Sequence, residues 1–257
     1  MQLDKAKIRQ SFAAASLTYD GAAELQRTVG TELLAAIDIE NLTGTFLDLG
    51  CGTGFLTAGL LARARTIIAL DIALSMLQVT RKKLLGVPNV AYICADAEQL
   101  PLAGHIVDGV FSNLALQWSI NLEAVCTDIK RVLKPGGRLV FSIFGPRTLQ
   151  ELKAAWAEVD DFNHVNEFYS EQQLLHSLRL AGYADIKVET RVYQSNYDSV
   201  LALMKELKHL GAHNVLAGRN KSITTRATLQ RMIAAYEQHR TGGLIAATFE
   251  VIIISAS

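Results

Sequence analysis

Three glycines at every second position, Gly50, Gly52 and Gly54, follow the apolar run Phe46-Leu47-Asp48-Leu49 and precede Phe55-Leu56. Glycine tolerates a left-handed backbone and leaves room for a ligand where a Cβ would stand. Dinucleotide-binding turns space their glycines Gly-x-Gly-x-x-Gly, and phosphate-binding loops end in a lysine and a hydroxyl residue. Here the third glycine comes one residue early and no basic residue follows. The expected ligand is therefore a nucleoside with an amino-acid tail and no polyphosphate, its zwitterionic tail meeting loop amides and Asp48. Asp71, after Ile67-Ile68-Ala69-Leu70, can accept hydrogen bonds from both ribose hydroxyls, as the acid at the matching strand end of nicotinamide enzymes does. An aspartate in that place serves equally as a helix cap. Asp96, in Cys94-Ala95-Asp96-Ala97, can accept from an adenine amino group while the Ala97 amide donates to a ring nitrogen; a turn aspartate is the plainer alternative. The order of these features is more specific than any one of them.

The elements that must hold them are legible as alternating periods. Strands are expected at 45–49, 66–70, 89–94, 107–112 and 138–144, with helices at 55–63, 74–85 and 122–133 between them. Strict alternation implies an α/β fold with a parallel, doubly wound sheet and right-handed crossovers. Ligands of such sheets sit beyond the carboxyl ends of the strands, where the strand order reverses. Residues 4–38 read as helical from Ile8, Phe12, Leu25, Val29, Leu33 and Leu34. Further helices are expected near 149–158, 171–181, 199–210 and 226–239, with strands at 185–191 and 248–255. No repeat or long linker marks a second domain, so the chain reads as one domain over 1–257. Its parts are an N-terminal helical cap (1–44), a ligand-binding half (45–145) and a substrate-side half (146–257) whose inserted helices near 195–240 form a lid.

Composition excludes several classes. The 257 residues carry 25 basic and 25 acidic side chains, so no global field recruits nucleic acid or membrane. Half of them are apolar and 19% charged, an ordinary globular profile. Cys51, Cys94 and Cys126 are scattered and odd in number, which suits a reducing compartment better than a disulfide framework. The first residues, Met-Gln-Leu-Asp-Lys-Ala-Lys, hold no apolar signal core, and a cytoplasmic location is expected. No His/Cys cluster has metal-ligand spacing, so no metal is expected.

The run Leu47–Gly54, Asp71, Asp96-Ala97, Asn113 and Leu133-Lys134-Pro135-Gly136-Gly137 resembles the class I S-adenosylmethionine-dependent methyltransferases. That resemblance implies a Rossmann-like, seven-stranded, mostly parallel sheet with the last strand antiparallel. It implies S-adenosylmethionine as cofactor, S-adenosylhomocysteine as its product, and binding roles for Asp48, Gly50, Gly52, Gly54, Asp71, Ile72, Met76, Asp96, Ala97 and Asn113. Flanking segments narrow the likeness. Arg9-Gln10-Ser11-Phe12, Tyr19-Asp20, Glu24-Leu25-Gln26, Leu114-Ala115-Leu116-Gln117-Trp118, Phe144-Gly145-Pro146 and Leu207-Lys208-His209-Leu210-Gly211 resemble the malonyl-[acyl-carrier protein] O-methyltransferase family. So do Ala235-Tyr236-Glu237 and Thr248-Phe249-Glu250-Val251. The chain departs from many such relatives at Ala22, where they carry His, and at Leu244-Ile245-Ala246-Ala247, where a Pro-containing run is commoner.

This likeness implies methylation of the free carboxylate of malonyl thioester on acyl carrier protein, an early step of biotin synthesis. The ester masks a charge and lets the primer enter fatty acid elongation. A sulfonium methyl is already electrophilic and a carboxylate is already ionised at pH 7, so no general base or metal is required. Positioning alone can supply about 7–11 kcal/mol. Tyr19 is expected to close over the cofactor, or else to pack as an amphipathic-helix aromatic. Gln117, Trp118 and Arg147 lie beyond the fourth and fifth strands, where a substrate carboxylate belongs; Arg147 could grip it in two-pronged fashion or stay a solvated surface residue. Residues 199–240 hold seven Lys/Arg against Glu206 and Glu237. An acidic carrier protein could dock there on Lys205, Lys208, Arg219, Lys221 and Arg226, though a solvated helix face reads the same way. Two other readings keep the cofactor: methylation of a free small carboxylic acid or other small molecule, and a non-catalytic cofactor-binding assembly factor. Phe111-Ser112-Asn113-Leu114 lacks the Asn-Pro-Pro-Tyr-type motif of nucleic-acid methyltransferases.

Overall fold

The computed structural model describes residues 3–35, 44–61, 64–212 and 225–257. Its strands are β1 (Thr45–Leu49), β2 (Thr66–Asp71), β3 (Val90–Cys94), β4 (Val107–Asn113), β5 (Leu133–Phe144), β6 (Ile186–Tyr197) and β7 (Ile245–Ala256). They form one seven-stranded sheet in the order β3-β2-β1-β4-β5-β7-β6. The first five are parallel to one another, and β7 runs antiparallel between β5 and β6. Strand order reverses at β1 and β4, which opens the crevice beyond Leu49 and Asn113.

β1 is buried on both faces, which is why its sequence is a nearly unbroken apolar run. Alternation sends Phe46 to one face and Leu47 and Leu49 to the other. On the Phe46 face lie α3 (Glu24–Ala35) and α4 (Phe55–Leu61), which bring Val29, Leu33, Leu56 and Leu60 onto Ile67 and Phe111. On the other face lie α6 (Leu122–Val132) and α8 (Glu171–Leu180). α6 buries Leu122, Val125, Cys126, Ile129 and Val132 at helical spacing, and Asn121 caps it by accepting from the Ala124 amide at 3.0 Å. Each such aliphatic side chain contributes about 1.5–3 kcal/mol on burial, so the strand tips rest on two stiff layers. Elsewhere α5 (Leu74–Lys83) follows β2, and α7 (Gln150–Ala157), α9 (Val200–His209) and α10 (Arg226–Glu237) pack Trp156, Leu203, Met232 and Tyr236 against the far ends of β6 and β7.

Three expectations shift. The N-terminal helical stretch is broken into α1 (Lys5–Ala15), α2 (Tyr19–Ala22) and α3. Ser16 and Thr18 donate their hydroxyls to the Ala13 and Ala15 carbonyls, and such local bonds compete with helix continuation. β5 begins at Leu133, not 138: Leu133 pairs with Val107, and the register shifts before Arg138 pairs with Gly109. β6 and β7 each run twelve residues, paired from Ile186–Ala256 to Tyr197–Ile245. With no proline in Leu244-Ile245-Ala246-Ala247, every amide at the start of β7 stays available to the ladder. Among the described residues no helix is long and apolar enough to cross a membrane.

Candidate functional site

The turn after β1 is tight. The Gly50 and Cys51 amides both donate to the Leu70 carbonyl, at 2.7 and 3.0 Å, and the Gly54 amide donates to the Cys51 carbonyl at 2.9 Å. Gly50, Gly52 and Gly54 all hold positive φ, at 75°, 54° and 87°. A Cβ on Gly50 would stand 2.4 Å from that of Ala115, whereas one on Gly52 would meet nothing within 4 Å and project into open space. The loop amides were expected to meet a ligand's tail. Instead the Gly50, Cys51, Gly52 and Gly54 amides are all engaged by the protein, because closing a turn this sharp consumes them. The glycines leave space, Gly52 most openly.

Asp71 ends β2 with its carboxylate buried. Its Oδ2 accepts from the Gly52 amide at 2.9 Å and its Oδ1 from the Ala73 amide, beside the start of α5, at 2.8 Å. Burial raises its pKa, opposed by those amides. The helix-start contact and the ligand-facing position thus coexist, since a carboxylate has further lone pairs. Asp96 takes the Lys5 ammonium at 2.7 Å and the Glu98 amide at 3.0 Å, both on Oδ1. Lys5 also reaches Glu98 at 2.7 Å, so α1 is pinned over the third strand tip.

One cavity gathers Tyr19, Gly50, Gly52, Asp71, Ile72, Met76, Asp96, Ala97, Asn113 and Trp118 along the strand ends. A second, on the α3 and α4 side of the loop, is lined by Asp48, Gly50, Gly52, Gly54 and Asn113 together with Gln26 and Tyr19. Gln117 and Arg147 line neither. The Gln117 amide group turns back to the Leu114 carbonyl at 2.6 Å, within the 3-10 turn Leu116–Trp118. Arg147 is exposed after β5, and its backbone amide donates to the Glu250 carboxylate at 2.9 Å. Asn113 is engaged by the protein: Nδ2 donates to the Gln26 carbonyl at 2.8 Å and Oδ1 accepts from Ser142 at 2.8 Å, so the side chain joins α3 to the sheet.

Tyr19 walls both cavities from α2, and its pKa is driven up by burial and by the charges of Asp71 and Asp20. Asp20 fastens α2 down: Lys83 pairs with it at 2.6 Å and Thr53 donates to it at 2.6 Å. Thr18 at the head of α2 donates to the His209 carbonyl of α9 at 3.0 Å. Phe12 of α1 stands edge-on to Trp118, ring centroids 5.3 Å apart.

Asp48 is almost wholly buried. Thr57 donates to its Oδ2 at 2.5 Å, while Oδ1 has no partner. Burial, with the nearby Asp71 charge, pushes its carboxyl up to about 7, against the Thr57 hydrogen bond. Sequence reasoning placed Asp48 but missed Gln26, Thr57 and Lys5. Gln26 shared a motif with Glu24 and Leu25, yet nothing in the pattern set it apart. The cavity walls are thus rich in acceptors, Asp48, Asp71 and Asp96 among them, and open at Gly52. That acceptor set fits a nucleoside whose far end is cationic, as S-adenosylmethionine is. Among the described residues no group of three His, Cys, Asp or Glu is placed to hold a metal ion.

Residues 47–141 match the family model described as a methyltransferase domain. Over 255 residues the chain is 43% identical to a malonyl-[acyl-carrier protein] O-methyltransferase of Methylococcus capsulatus, covering 97% of this chain and 92% of that one. It is 40% identical to the biotin biosynthesis bifunctional protein BioHC of Cellvibrio japonicus over 97% of its own length and 49% of that protein's. The fold is also that of Haemonchus contortus phosphoethanolamine N-methyltransferase 2, solved with S-adenosylhomocysteine, at a TM-score of 0.60 and 15% identity over 97% of this chain and 60% of that one.

Proposed function

Since the chain belongs to the malonyl-[acyl-carrier protein] O-methyltransferase family, we propose that it methylates the free carboxylate of malonyl-acyl carrier protein thioester, an early step of biotin synthesis. The observation that carries the cofactor half of this reading is the convergence of Gly50 and Gly52, Asp71, and Asp96 with Ala97 on one cavity from three successive strand tips. In this reading residues 45–145 form the cofactor-binding half, 1–44 its cap and 146–257 the substrate side.

When bound, S-adenosylmethionine supplies an electrophilic methyl group on a positively charged sulfur. The chain's part is to hold, align and dry. Asp71, anchored by two backbone amides, accepts from the ribose hydroxyls with its remaining lone pairs. Asp96 would accept from the adenine amino group and the Ala97 amide would donate to the ring, with Ile72 and Met76 lining the same cavity. Tyr19 closes the wall from α2, which Lys83 and Thr53 hold through Asp20. Trp118 lines the same cavity, and Arg147, exposed after β5, is assigned to receive the arriving carboxylate. The Gln117 side chain backs the turn that presents Trp118. No proton need be moved, because the nucleophile is already an anion; alignment in a water-poor site supplies the acceleration.

The carrier is proposed to dock on the basic flank. Lys205 and Lys208 lie on α9, and Arg226 opens α10; Arg219 and Lys221 lie outside the described residues. The same α9 holds Thr18 through His209, so a carrier seated there would stand against the lid that carries Tyr19. Incubation with methyl-labelled cofactor and either malonyl-carrier protein or free malonate tests the reading. A base-labile methyl ester on the carrier-bound acid is expected. Label on free malonate with equal efficiency would favour a small-molecule acceptor, and label on neither would defeat the assignment.

A further inference from the structure

A further cavity, of about 590 Å³, lies along α7 and the segment after it, and shares no lining residue with the two at the glycine loop. Its size is that of a small-ligand site. The walls are aromatic. Trp156 and His164 stack in parallel with ring centroids 3.6 Å apart, and Phe168 packs on Phe144 at the end of β5, 5.7 Å away. Phe162 lines the cavity yet is 48% exposed, an apolar surface left for an occupant to cover. The polar groups are mixed. The Lys153 ammonium donates to the Pro146 carbonyl at 2.8 Å and stands 5.2 Å from the Phe168 ring centre, which leaves it hydrogens to offer elsewhere. Asn166, between the lining residues Val165 and Glu167, is buried with its side-chain oxygen unpartnered, a condition that a donor would relieve. Asp161 and Glu167 add negative charge, which disfavours an anionic occupant. A neutral chain, partly apolar and carrying amides that both donate and accept, answers all of these demands.

The cavity also has a place in the chain that suits such an occupant. Pro146 of its lining directly precedes Arg147, the residue assigned to the substrate carboxylate. Asp160 and Asp161 lie just past Glu158, whose carbonyl accepts from Arg231 of α10 at 3.5 Å, and α10 belongs to the flank assigned to the carrier. A carrier protein presents its acyl group on a pantetheine arm, a neutral chain of amides, methylenes and a dimethyl-substituted carbon that ends in the thioester sulfur. We propose that this cavity seats the pantetheine arm of the carrier-bound substrate, with Phe162 and Trp156 against its carbon skeleton and Lys153 and Asn166 at its amides. The inference deepens the malonyl-carrier reading and rests on it. It makes the arm, besides the carrier's surface, a feature by which the acceptor is chosen.

Methyl transfer from S-adenosylmethionine by the full chain, measured with malonyl-carrier protein, malonyl-pantetheine and malonyl-N-acetylcysteamine, separates the outcomes, because the last thioester lacks most of the arm. The unaltered chain should favour malonyl-pantetheine over the short thioester about tenfold in kcat/KM. Ala157→Trp, which plugs the cavity from α7, and Phe162→Ser, which strips apolar surface from it, should each cut that preference to about twofold. Each should also cost malonyl-carrier protein about tenfold in kcat/KM while the short thioester holds its rate. Both positions are exposed, so neither change threatens the fold. No preference in the unaltered chain, or one that survives both substitutions, overturns the proposal and leaves the methyltransferase reading standing. Methyl transfer to none of the three acceptors defeats that reading, and the proposal with it.

Discussion

Replacing Asp48 with asparagine should make the ligand-free protein more stable, and the gain should grow with pH. The carboxyl titrates at about 7 in the folded chain, against 3.8 for an ordinary aspartate, because it is buried and faces the Asp71 charge. Between those values the unfolded chain has released its proton while the folded chain keeps it. The folded state therefore binds more protons, and stability falls as pH rises. The loss starts near the unfolded value and levels off above the folded one. Its full size is the gap from 3.8 to about 7 at about 1.36 kcal/mol per pH unit, or about 4 kcal/mol. At pH 5 about 1.7 kcal/mol of it has developed, and by pH 8 nearly all. The variant's amide side chain cannot ionise and can still accept from Thr57. Urea unfolding of both proteins without cofactor, at pH 5 and pH 8, should show the stability difference widening by about 2.5 kcal/mol in the variant's favour. Parallel pH profiles would refute the reasoning, and so would a variant that loses ground as pH rises.

In the proposed binding mode Asp71→Ala removes the acceptor for two ribose hydroxyls, and it leaves the Gly52 and Ala73 amides unpaired. At about 1.5 kcal/mol or more for each lost charged hydrogen bond, S-adenosylhomocysteine should bind about 100-fold more weakly by calorimetry, and undiminished heat would end that assignment. Changing Lys205, Lys208 and Arg226 to Glu should raise KM for the carrier-bound substrate about tenfold at low salt with kcat unchanged, and added salt should narrow the gap. An unaltered KM would remove the docking surface.

What could be read from the sequence is what backbone periodicity encodes. Gly50, Gly52 and Gly54 announced a turn that only positive φ can make, and the apolar runs around Asp48 and Asp71 announced strands buried on both faces. Strand tips follow from such runs, so Gly50, Asp71 and Asp96 fall at or just past strand ends as expected. Partners set by tertiary packing left no periodic trace. Lys5 meets Asp96 across ninety-one positions, and Asn113 reaches the Gln26 carbonyl across eighty-seven. The engagement of the loop amides was equally hidden, because it depends on the Leu70 carbonyl lying beside the turn. The later half of β6 carries the polar residues Gln194, Ser195 and Asn196, beyond the strand expected at 185–191; they are strand because β7 offers an unbroken ladder opposite.

That same strand is the outer rim of the sheet, with one row of amides and carbonyls facing away from β7. Such a rim invites another chain to add itself as an eighth member. Here the invitation is guarded by formal charge: Lys187, Glu189 and Arg191 stand at alternate positions, and Arg191 is tied both to Glu189 and, across the rim, to Glu32 of α3 at 2.5 Å. An incoming strand would have to strip water from that ionic fence and break it. The charged stretch from Lys187 to Arg191 thus guards the outer rim of the twelve-residue ribbon that β6 forms with β7.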